Sequence, residues 1–123
     1  MKKILIIEDE EILAEMYRDR FKQAGFKVAM ASSAEEGLEA ALKEKPGLIL
    51  LDILLPRENG IGFLEKLRKN PKTASIKVVA FSNYDDPLTK KKAYEFGVRE
   101  YLIKTNYTPQ EVVQKIKKHL INR

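Results

Sequence analysis

Apolar runs of strand length alternate with stretches of helical period from one end of the chain to the other. "KILII" (3–7) is apolar after its lysine, and beyond it Ile12, Leu13, Met16, Phe21 and Ala24 recur as the inward positions of a helix that Gly25 stops. "FKVAMA" (26–31) leads into Ser33-Ala34-Glu35-Glu36, a capping box opening a helix expected to bury Ala34, Leu38, Ala41 and Leu42. That helix ends at Pro46-Gly47, and "LILL" (48–51) follows as a third strand. A helix over 60–69 carries Phe63, Leu64 and Leu67 and stops at Asn70-Pro71. "IKVVAF" (76–81) is the fourth strand, 87–96 a helix closed by Gly97, and "EYLI" (100–103) the fifth strand. Thr108, Pro109 and Glu111 then cap a last helix that buries Val112, Val113, Ile116 and Leu120. Five strand–helix units in strict alternation predict a parallel sheet with helices on both faces. The pattern leaves the strand order open, but it says where to look: ligands of such sheets bind beyond the carboxyl ends of the strands.

One position breaks the apolar pattern. In "GLILLDILLP" (47–56) a single carboxylate, Asp52, interrupts a run that should be dry throughout. Burying it alone costs several kcal/mol or its charge, so it belongs at the strand's mouth, where a cation can meet it. The residues at the other strand ends supply company. Glu8 and Asp9 follow the first strand, Ser82 the fourth and Lys104 the fifth. Acids after a strand also serve as charges at a helix N-terminus, and that is the reading for Glu10 and Glu11. Carboxylates crowded at ligand distance repel unless a hard cation lies between them. Mg²⁺ suits such oxygens and keeps positions open for a phosphoryl group. A neighbouring ammonium and hydroxyl would hold the remaining phosphoryl oxygens.

Composition narrows the picture. With 123 residues, 44% apolar and 33% charged, the chain is one globular domain's worth. It has no cysteine, which removes disulfides, thiol catalysis and thiolate metal sites and suits a reducing, cytoplasmic location. The apolar run after the basic start is four residues long and then meets four acids, so neither export nor a membrane anchor is expected. The net charge of +5 divides into −3 over residues 1–62 and +8 over 63–123. No aromatic–basic stacking pattern accompanies the basic half, which argues against nucleic acid and for a protein partner.

"IIEDEE", "LLDILLPRENG", "AFSN" and "YLIK" resemble the motifs of the bacterial response-regulator receiver domain. Pro56 and Gly60 stand four and eight residues after Asp52, as that family has them. The resemblance covers essentially the whole chain. It implies a flavodoxin-like (βα)5 fold of three layers with strand order 2-1-3-4-5, residues 1–123 forming one receiver with no output domain. It implies that Asp52 is the phosphoacceptor. Glu8, Asp9, Asp52 and the backbone carbonyl of Leu54 would hold Mg²⁺, with Mn²⁺ or Ca²⁺ as substitutes. Ser82 and Lys104 would contact the phosphoryl group, and Ser82 and Tyr101 would form the switch, with Tyr101 turning inward on activation.

The implied donor is a sensor histidine kinase or a phosphotransfer protein. The implied readout is a downstream protein on helix four, strand five and helix five. Lys90, Lys91, Lys92, Lys115, Lys117 and Lys118 on those elements predict an acidic partner. The resemblance leaves monomer or phosphorylation-dependent dimer open. It makes the chain a switch that assists its own phosphorylation and slow dephosphorylation, not an enzyme with an external substrate. Three residues depart from the commonest pattern. Thr105 replaces the proline after Lys104, so either that peptide is trans with Lys104 re-aimed or strain is stored there. Leu54 and Tyr84 flank the route of an attacking water, exclude it, and predict a long-lived acyl phosphate. Two other readings compete. One is an unphosphorylated scaffold, which Thr105 keeps open. The other is an aspartate-nucleophile phosphohydrolase, which would want an acid where Leu54 stands.

Overall fold

The computed structural model describes residues 2–121. Strands β1 (Lys3–Ile7), β2 (Lys27–Ala31), β3 (Leu48–Leu51), β4 (Lys77–Ser82) and β5 (Glu100–Ile103) alternate with helices α1 (Glu11–Gln23), α2 (Ala34–Glu44), α3 (Gly60–Lys69), α4 (Pro87–Glu95) and α5 (Pro109–Ile121). All strands run parallel in one sheet of order β2-β1-β3-β4-β5, as the resemblance implied. A 3-10 turn, Lys104–Asn106, joins β5 to the approach of α5.

The order explains the composition of each strand. β1 and β3 lie inside the sheet with helices on both faces, so they are apolar at every buried position. β2 is an edge strand and mixes exposed and half-buried residues before ending buried at Ala31. Side chains of period two divide the core between the faces. Leu5, Ile7, Ile49 and Leu51 meet Phe63, Leu64 and Leu67 on one side. Ile4, Ile6, Leu48 and Leu50 meet Tyr17, Phe21, Val112 and Ile116 on the other.

Two expected core positions lie outside. Ile12 is 84% exposed and Leu42 41% exposed. α1 instead buries Ala14, Tyr17 and Phe21, and α2 buries Ala34, Gly37 and Ala41, each set at steps of three and four. Small residues let α2 approach the sheet closely: a Cβ on Gly37 would stand 2.5 Å from Ile7 Cδ1. The larger apolar neighbours, one or two positions away, are turned off that stripe. β2 and β4 each begin one residue later than the pattern suggested, at Lys27 and Lys77, so Ser82 is the last residue of β4 rather than the first beyond it.

The helix ends follow their sequence signals. Asn59 accepts from the N–H groups of Ile61 and Gly62, and Asp86 from Thr89. Thr108 and Glu111 form the reciprocal capping box, at 2.8 and 3.2 Å. At α2, Glu36 reaches back to Ser32 while Ser33 caps the Glu36 N–H. Lys45 closes α2 in the left-handed conformation at φ 48°, one residue before the expected stop. Among the described residues no helix is long and apolar enough to cross a membrane.

Candidate functional site

The sheet's ladder carries the two central acids into place. The N–H of Glu8 donates to the Ala31 carbonyl at 3.0 Å, and that of Asp52 to the Ile7 carbonyl at 2.9 Å. Each acid therefore continues the pairing of its strand by one residue and emerges at the carboxyl edge with its backbone fixed. Both are buried, Glu8 to 5% and Asp52 to 6% exposure, while Asp9 is exposed beside them.

Lys104 joins them. Its ammonium lies 2.6 Å from Glu8 Oε1 and 3.1 Å from Asp52 Oδ2, and 5.6 Å from the centroid of the Phe81 ring. The peptide bonds of the described residues are trans, Lys104–Thr105 included. So Thr105 leaves Lys104 within reach of Asp52, with its shorter contact to Glu8. The second oxygens are held by backbone: Leu54 N–H donates to Asp52 Oδ1 at 3.0 Å and Glu10 N–H to Glu8 Oε2 at 3.2 Å.

One ammonium among three acids leaves the charge unbalanced. Burial pushes the Glu8 carboxyl up to about 7, with Asp52 adding to the rise and the Lys104 hydrogen bond opposing it. Burial works against the Lys104 ammonium as well, but Glu8 and Asp52 outweigh it and hold its pKa above the ordinary lysine value. Oxygens of Glu8, Asp9 and Asp52 lie within 4.8 Å of one another. An all-oxygen, carboxylate-rich set of this kind fits a hard divalent cation and gives a soft one nothing to bind.

Ser82 is fully buried at the end of β4, where its Oγ accepts the Tyr84 N–H at 3.1 Å. Tyr101, on β5, is 8% exposed. Its hydroxyl donates to the Tyr84 carbonyl at 2.6 Å. Burial pushes its phenol up to about 12, with Ser82 pulling the other way. The ring thus occupies the inward position that the resemblance associates with activation. Leu54 and Tyr84 both stand exposed at the rim.

The receiver-domain family matches residues 4–117, on a sheet that carries this acidic cluster at its carboxyl edge. The chain belongs to the response regulator receiver domain family. Receivers are the signalling switches of two-component response regulators rather than enzymes in the usual sense. The alkaline phosphatase synthesis transcriptional regulatory protein PhoP of Bacillus subtilis is 33% identical over 116 residues, covering 94% of this receiver and 47% of that protein. The phosphate regulon transcriptional regulatory protein PhoB of Pseudomonas aeruginosa is 29% identical over 116 residues, covering 94% and 50%. The receiver spans about half the length of these curated relatives. A CheY-like response regulator receiver domain protein from Methanospirillum hungatei superposes with a TM-score of 0.91 at 28% identity, covering 98% of this chain and 94% of that one.

All the acids, Ser82 and Lys104 singled out from sequence reach the same end of the sheet. Phe81 and Tyr94 escaped notice as participants, and Tyr84 is expected from sequence only as a screen against water. Phe81 sits in the "AFSN" stretch but reads as core. Tyr84 contributes through its backbone, and Tyr94 lies on a helix whose faces the periodicity did not resolve.

Proposed function

We propose that this receiver accepts a phosphoryl group on Asp52 from the phosphohistidine of a sensor kinase or phosphotransfer protein, and signals by protein contact. The observation that carries the reading is the Lys104 ammonium held between two buried carboxylates, one of which, Asp52, stands at the mouth of an apolar strand. An Asp52 oxygen attacks phosphorus; the P–O bond forms as the P–N bond to the donor histidine breaks, and the electron pair leaves with the histidine. The acidic oxygens of Glu8, Asp9 and Asp52, with the Leu54 carbonyl, would hold Mg²⁺, or Mn²⁺ or Ca²⁺ in its place, whose charge offsets that of the phosphoryl oxygens. Lys104 pairs with the acceptor carboxylate before transfer and with the phosphoryl group after it. Ser82 donates its hydroxyl proton to a phosphoryl oxygen and is drawn toward it, which moves the 82–87 loop. Leu54 and Tyr84 shield the acyl phosphate from water and lengthen its life.

The output face is α4, β5 and α5. Lys90 is paired with Asp85 and Lys115 with Glu100, whereas Lys91, Lys92 and Lys118 are exposed, a balance that suits an acidic partner. The deciding experiment is intact mass after exposure to a small-molecule phosphodonor. Wild type gains one phosphoryl mass in the presence of Mg²⁺, and Asp52→Asn gains none. A wild-type protein that gains nothing under any condition refutes the reading.

A further inference from the structure

β5 closes one side of the sheet, and the N–H of Tyr101 points away from its only strand neighbour, β4. An edge amide of this kind is normally left to water. Here it donates to the hydroxyl oxygen of Tyr94, at 3.1 Å, across from α4. Tyr94 is itself half-exposed, so its hydroxyl is not forced into this contact by a lack of solvent. Tyr101 is held twice more. Its hydroxyl donates to the Tyr84 carbonyl in the loop before α4. The Lys90 ammonium, one turn before Tyr94 on α4 and paired with Asp85, stands 5.8 Å from its ring centroid. Of the three contacts, the one from Tyr94 alone reaches the Tyr101 backbone, and it alone requires the second half of α4 to lie against the strand.

We propose that Tyr94 is a positioning residue of the switch: its hydroxyl, by accepting the edge N–H of Tyr101, latches α4 onto β5 and holds the Tyr101 ring in its buried pose before any phosphoryl group arrives. The proposal rests on the switch reading above in one respect, that the buried pose is the one phosphorylation favours. A contact made in one position of α4 and lost in another is a differential contact, which is what biases a two-state equilibrium. Whatever Tyr94 adds to the buried pose, it adds by reciprocity to the affinity for a ligand that selects that pose. A net hydrogen bond of ordinary strength corresponds to roughly a two- to tenfold bias.

Tyr94→Phe removes one oxygen from a half-exposed side chain and keeps the ring. Two measurements on the full chain decide the matter. The first is amide hydrogen exchange at Tyr101 in the unphosphorylated, metal-free protein. Exchange should quicken about two- to tenfold in Tyr94→Phe, with nitration of Tyr101 by tetranitromethane rising in parallel, while amides of β1 and β3 keep their rates. The second is the affinity for beryllium trifluoride with Mg²⁺, a stand-in for the phosphoryl group, which should weaken by the same factor. Unchanged exchange and nitration at Tyr101 would overturn the latch. Faster exchange with unchanged beryllofluoride affinity would reduce Tyr94 to a cap on the strand edge and overturn its positioning role. Failure of wild type itself to bind beryllofluoride would count against the switch reading instead, and the exchange arm would still decide the latch.

Discussion

The two ends of the sheet each hold a partly buried cation, and they hold it by opposite means. At the carboxyl end Lys104 is satisfied by charge, lying against Glu8 and Asp52. At the amino end Arg68 of α3 is satisfied by neutral backbone. It donates to the carbonyls of Phe96 at 2.7 Å, Ala74 at 3.0 Å, Ile76 at 2.7 Å and Gly97 at 3.5 Å. Those carbonyls belong to the approach to β4 and the turn between α4 and β5, so one guanidinium ties two connections together. Carbonyls do not titrate and are not consumed by chemistry. The amino end is therefore pinned at any pH, while the carboxyl end holds groups whose charge, partners and protonation can change.

Replacing the two cations separates the designs. Lys104→Met should abolish most phosphoryl transfer and leave Glu8 and Asp52 facing each other unpaired. Breaking a buried pair of this kind costs about 3–5 kcal/mol. Urea unfolding should show the full loss at pH 8 and a smaller one at pH 5.5, where Glu8 relieves the repulsion by taking a proton. Arg68→Met keeps the apolar stem and strands four carbonyls, some of which water can reach. Its expected loss is about 2 kcal/mol, the scale of a charge-assisted hydrogen bond, with the same value at both pH values and with phosphoryl acceptance retained. A pH-dependent loss in Arg68→Met would erase the contrast.

Titration sharpens it further. The folded state raises Glu8 from 4.5 to about 7, so the folded protein binds that proton more tightly than the unfolded chain. Its contribution is present in full below about pH 4.5 and is lost as pH rises through 7. The metal-free protein should thus lose stability across that window, and Glu8→Gln should flatten the profile. Because a ligating carboxylate must be ionised, Mg²⁺ should raise the melting temperature more at pH 8 than at pH 5.5. Melting curves at the two pH values, with and without Mg²⁺, check both signs.

How much of this could be read from the chain depended on where the partner of each residue lies. The strands were legible because β1 and β3, buried on two faces, place no polar residue at a buried position. Asp52 was legible because it interrupts one. The helices' buried faces were less so. Hydrophobicity nominated Ile12 and Leu42, whereas close packing selected Ala14 and Gly37, whose value lies in being small. Arg68 and Tyr94 were not legible as partners at all. Their acceptor or donor is backbone six to 29 residues away, and any side chain can stand at the other end of such a bond. Lys104 was found because its partners are side chains with a charge of their own.

The chain has no tryptophan and five tyrosines. Tyr84, Tyr94 and Tyr101 are joined around the loop before α4. Tyr17 stands edge-on to Phe81, the ring beneath Lys104, at 5.2 Å. Tyr107 lies under the Lys115 ammonium. The protein's near-ultraviolet emission is therefore supplied by its tyrosines, four of which are tied to the loop before α4 or to the ring beneath Lys104. Unlabelled, it carries its own optical reporter of the carboxyl edge, with no indole emission to mask it.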